Sequence, residues 1–140
     1  MTYSRRDLCL MMTAVAAAAR GADQKKALPS KVYHYEEMPV HDLNGNKQHL
    51  ILEGELHDGF HLEVHETRLA PGTMPHPPHH HVHEEMFLLK EGTLEVTIAG
   101  RSTRMGPGSV GFVASDDEHG VRNVGTGFAE YFVVELGKDA

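Results

Sequence analysis

Tryptophan is absent from this chain of 140 residues, and aromatic side chains make up only 6% of it. A stacking platform for nucleic-acid bases needs several aromatics, so no such partner is expected. Positive charge is also short. Thirteen Lys and Arg stand against 20 Asp and Glu, a net charge of −7, which would repel a phosphate backbone. Cysteine occurs once, at position 9. That excludes an internal disulfide and any cysteine-based zinc site. The uncharged apolar run from Leu8 to Ala19 is shorter than the roughly 20 residues that span a bilayer. No stretch beyond residue 30 shows a helical period.

Histidine is what the chain has in excess, 12 in all. Five of them fall within "HPPHHHVH", residues 76 to 83, and Glu84 and Glu85 follow at once. Either this is a loose tract that catches metal, or a solvated loop, or one wall of a built site.

The N-terminus reads as an address. Arg5 and Arg6 precede the apolar run, and Ala17-Ala18-Ala19 closes it with small residues. Basic, apolar and small in that order is the layout of a cleavable export signal. "SRRDLCL" resembles the twin-arginine signal of bacteria, with Leu8 and Leu10 where Phe and Lys are common. Residues 1–22 are therefore expected to be a signal peptide, 23–30 a flexible tether, and 31–140 the folded domain. The mature protein is expected to be periplasmic or secreted and free of the membrane.

The rest is a series of short apolar runs between turns. "KVYHYEEMPV" is read as a first edge segment, followed by "QHLILEG". Phe60, Leu62 and Val64 then alternate with His61, Glu63 and His65, the period of a half-buried strand. "EMFLLKEGTLEVTIAG" is two runs around Glu91-Gly92, a hairpin or a tight corner. "SVGFVA", "HGVRNVG" and "AEYFVVELG" complete the set. Many short strands imply an all-β sandwich or small barrel.

His79 and His81 are two apart, and Glu85 is four beyond His81. On a regular strand these three face one way, with His80 and Glu84 facing the other. One strand cannot close a site, so a further ligand must come from elsewhere, and His119 after the acidic turn is the candidate. His76, His80 and His83 are read as loop or outward-facing residues, with His83 beside a pocket rim. His34, His41, His49, His57, His61 and His65 are read as surface or strand-face residues. Phe87 and Leu89 share the parity of Glu85 and are expected to line a pocket, together with Met105, Phe112 and Val121.

Gly72, His79-x-His81, Glu85 and Gly92 resemble the first motif of the cupin superfamily, with one extra residue after the first glycine. Gly108, His119 and Asn123 resemble the second, with Ala114 and Asp116 in place of the usual Pro and Gly. The resemblance implies a small jelly-roll β-barrel with one divalent metal held by His79, His81, Glu85 and His119. It also implies a homodimer. Imidazole and carboxylate together suit Fe, Mn, Ni, Cu or Zn, with Fe or Mn favoured. Four protein ligands leave an octahedral ion about two open positions, a catalytic rather than a structural arrangement. The implied function is dioxygenase-like oxidation of a small phenolic or enol substrate, with Glu85 as the base. The alternative is a non-catalytic periplasmic module that binds a small ligand or a metal.

Overall fold

Strands form where the alternation places them. The computed structural model describes residues 27–43 and 45–138. Nine strands follow one another: β1 Val40–Leu43, β2 Asn46–Glu55, β3 His61–Leu69, β4 Glu84–Glu91, β5 Leu94–Ile98, β6 Arg101–Met105, β7 Val110–Val113, β8 His119–Asn123 and β9 Ala129–Gly137. They build a six-stranded sheet in the order β1-β2-β3-β9-β4-β7 and a three-stranded sheet in the order β6-β5-β8. Every pairing is antiparallel. This is the all-β jelly-roll barrel that the motifs imply. The expected signal peptide lies outside the described residues. Of the tether, residues 27–30 are described, and the Leu28 amide donates to Glu55 O at 2.9 Å. No helix among the described residues is long and apolar enough to cross a membrane.

The core lies between the sheets. Leu69, Phe87, Leu89, Tyr131 and Val133 from the larger sheet meet Leu94, Val96, Met105 and Val121 from the smaller one. Burying such side chains gives about 1.5–3 kcal/mol each, the main force that closes the barrel.

One local expectation needs correction, and one open choice is decided. "KVYHYEEMPV" is not an edge strand: residues 35–37 form a 3-10 turn, and pairing begins only at Val40. Pro39 lacks an amide to donate, and its carbonyl instead accepts from the Leu50 amide at 3.0 Å. Glu91-Gly92 is a corner and not a hairpin, because β4 and β5 belong to different sheets.

The faces of the larger sheet are distributed unexpectedly. Leu52, Val64, Val134, Met86 and Phe112 stand opposite one another across five neighbouring strands. This apolar row is on the outer face. The partly polar alternate set of β3, Glu63, His65 and Thr67, is turned inward and lines a cavity.

Candidate metal centre

Four side chains converge at the mouth of the barrel. His79 and His119 form an antiparallel bridge, His79 N donating to His119 O at 3.0 Å and His119 N to His79 O at 2.8 Å. His81 lies in the loop before β4, and its carbonyl accepts from the Asp116 amide at 2.8 Å. Glu85 is the second residue of β4 and is buried. The nitrogens of His79, His81 and His119 available to a metal lie within 4.8 Å of one another. Glu85 Oε2 sits 2.7 Å from His119 Nε2 and 3.2 Å from His81 Nε2.

Backbone contacts set the tautomers. His119 Nδ1 is 2.9 Å from Asp117 O, and His81 Nδ1 is 2.9 Å from His83 O. A carbonyl only accepts, so each Nδ1 donates and each Nε2 is turned to Glu85. His81 Nε2 is within hydrogen-bond reach of Glu85 Oε2. A buried carboxylate among imidazoles is stabilised by positive charge between them, a proton or a metal ion. His119 Nε2 makes no hydrogen bond despite its 2.7 Å approach to Glu85 Oε2. The two groups thus share a focal point and do not bond each other. Buried His79 Nδ1 is also without a partner. Burial, and then the neighbouring His76, His119 and His81, hold the His79 imidazole below its ordinary range. It is therefore neutral at pH 7, the form that ligates. This donor set fits a borderline divalent cation.

The centre opens on a cavity of about 190 Å³ whose walls include Thr67, Phe87, Val121, Tyr131 and Val133. Of the expected pocket residues, Phe87 and Val121 line it. Leu89 and Met105 do not; both pack in the core beyond it. Phe112 is 58% exposed on the outer face. The register explains this: Glu85 pairs with Val113 and Phe87 with Gly111, so Phe112 shares the outer side with Met86. His79 and His81 are likewise not on the strand of Glu85, since β4 starts at Glu84. Their convergence comes from the bridge to β8 and the bond to Asp116.

Sequence reasoning missed further residues of the cavity. His65, read as a surface or strand-face residue, is buried and lines it; His49 is also buried but lies outside it. His65, Glu63 and Glu135 face the cavity, and His65 Nδ1 meets Glu63 Oε1 at 2.9 Å. His83 stacks on His81 with centroids 3.6 Å apart, and its Nε2 lies 3.2 Å from Glu135 Oε2. The alternation Ala129, Tyr131, Val133, Glu135 was the available signal.

Burial first, then the charges of Glu63 and Glu85, pushes the Glu135 carboxyl up to about 7 from 4.5. The facing groups are Glu63 on β3, Glu53 on β2, Glu85 on β4, and His81 and His83 in the preceding loop. In the metal-stripped protein the folded state holds a proton that the unfolded chain has released between about pH 4.5 and pH 7. Stability therefore falls as pH rises through that window, by on the order of 2 kcal/mol after allowance for solvent screening. Glu135→Gln should melt with the wild type at the acid end and progressively above it toward pH 8. A constant offset between the two melting curves across the window would contradict this.

The fold and this donor set define a class: a jelly-roll barrel whose interior carries groups that could hold a metal ion. The chain belongs to the cupin family, since the Cupin domain model matches residues 65–135, just over half of its length. No curated protein sequence matches. Among solved structures it is similar to an RmlC-like cupin from Shewanella frigidimarina NCIMB 400, with TM-score 0.64 at 19% identity, covering 77% of this chain and 92% of that one. KdgF from a Halomonas species gives TM-score 0.64 at 16% identity, covering 76% and 94%. The polyketide cyclase RemF from Streptomyces resistomycificus gives 0.63 at 18%, covering 78% and 80%. At these identities the likeness is one of fold.

Proposed function

We propose that this chain is a metal-dependent enzyme that oxidises a small phenol or enol with dioxygen. The observation that supports the reading is the convergence of His81 Nε2, His119 Nε2 and Glu85 Oε2, with His79 beside them, on the edge of a cavity. His79, His81, His119 and Glu85 would hold one divalent ion, Fe or Mn by preference. Such an ion supplies a Lewis-acidic and redox-capable centre beside which substrate oxygen and dioxygen can be brought together.

The chain's own residues do the rest. An engineered cavity of about 150 Å³ takes benzene, so about 190 Å³ suits a single ring or a short enol. Phe87, Val121 and Val133 offer it apolar walls. Glu85 accepts the acidic proton of the phenol or enol at its carboxylate, leaving the more electron-rich anion. Tyr131 stays a neutral phenol, because burial raises it far above neutrality and outweighs the hydrogen bond with Thr67, which lowers it.

The second reading is a non-catalytic module that holds a small ligand or a metal. The observation in its favour is a further imidazole at the mouth, the His76 ring edge-on to His79 with centroids 4.3 Å apart. Oxygen uptake separates the two. Protein loaded with Fe(II) or Mn(II) and given a panel of phenols and enols should consume oxygen above the rate of the free metal, and His119→Ala should not. Saturable ligand binding at micromolar concentration with no oxygen uptake across the panel would replace the enzyme by the module.

A further inference from the structure

The larger sheet carries a row of carboxylates of which the first centre uses only Glu85. Glu53 pairs with Glu63, Glu63 with Glu135, and Glu135 with Glu85, so four glutamates stand in one row across β2, β3, β9 and β4. Residues directly opposite in an antiparallel sheet share a face, and like charges there are destabilising. Each glutamate has a histidine beside it. Glu53 has His61 at 3.7 Å, Glu63 has His65 at 2.9 Å, Glu135 has His83 at 3.2 Å, and Glu85 has His81 and His119. No lysine or arginine is among the residues described as lining the cavity. Lys90 and Arg68 pair instead with Glu66 and Glu130 on the outer face.

We propose that Glu63, His65 and Glu135 form a second divalent-cation site in the same cavity. Their ligand atoms lie within 4.8 Å of one another. Glu63 and His65 are two apart on β3 and therefore share a face, and the register of β3 with β9 places Glu135 opposite Glu63. His65 is only 7% exposed. Its Nδ1 lies 2.9 Å from Glu63 Oε1. The row thus has carboxylates in excess of permanent cations inside a barrel. A divalent ion supplies the missing charge, and two carboxylates with one imidazole suit a hard to borderline ion such as Mn(II). The assignment does not depend on which reaction the first centre performs.

The test uses Mn(II) alone, titrated into chelator-stripped full-length protein, with free Mn(II) read by its electron paramagnetic resonance signal. The wild type should bind two ions per chain. Glu63→Gln and Glu135→Gln should each weaken one of the two at least tenfold and leave the other in place, while His119→Ala should show the reverse loss. Both glutamine changes keep shape and relieve like-charge repulsion, so the stripped variants should melt no lower than the wild type. A single ion in the wild type, or two ions persisting in both glutamine variants, overturns the second site. Binding removed by Glu135→Gln but untouched by His119→Ala would uphold this site and overturn the first.

Discussion

His119→Ala should leave the tight site nearly empty after exhaustive dialysis, although His119 is nearly 40 residues from the histidine cluster. Loss of an outer-sphere partner of a metal ligand already costs roughly 10–100-fold in affinity, and His119 presents its Nε2 at the focal point itself, 2.7 Å from Glu85. His79→Ala and His81→Ala should lose metal comparably. His80→Ala should not, because the His80 side chain is 67% exposed and lies 3.9 Å from Asp116, away from the focal point. The measurement is metal per chain by elemental analysis for each variant. Equal small losses across the clustered histidines, with His119→Ala still loaded, would mean that the run from His76 to His83 is a loose tract and that the barrel site is wrong.

Gly92→Ala should cost far more stability than its single methyl suggests. Gly92 turns the chain from β4 into β5 and so from one sheet to the other, at φ +90°. A Cβ there would stand 2.7 Å from Ala129 Cα and 2.8 Å from Phe128 O, backbone atoms at the start of β9 and just before it. Left-handed backbone costs a side-chain-bearing residue about 1–3 kcal/mol, and overpacking against a backbone that cannot yield adds about 1–3 kcal/mol. For a domain of this size that corresponds to a drop of on the order of 10–20 °C in melting temperature. Gly100 provides the control. It has φ +77° but open space around its would-be Cβ, so Gly100→Ala should show the conformational strain alone. Thermal melts that put Gly92→Ala level with Gly100→Ala would refute the close-contact account.

The strands were legible because a period of two leaves a mark in the order of residues. "FHLEVHETRL", "TLEVTI" and "AEYFVVELG" all became strands for that reason. "KVYHYEEMPV", read as an edge segment, makes a 3-10 turn first, and pairing begins only at Val40. Period alone also names two faces without saying which is inside. That is why Phe112 was expected in the pocket and lies outside, and why His65, expected on a strand face or the surface, is buried beside the cavity.

The sequence by itself determined the cupin motifs and the candidate quartet of His79, His81, Glu85 and His119, because the spacing of donor types along the chain is local information. The tertiary structure decided how that quartet meets. His79 and His81 converge through a bridge to β8 and a bond to the Asp116 amide, and not through strand parity. It also decided the row of Glu53, Glu63, Glu135 and Glu85. Glu63 and Glu135 are about seventy residues apart, and nothing in either local pattern refers to the other. Only the register of β3 on β9, set by which faces are buried and how the strands pair, places their carboxylates side by side.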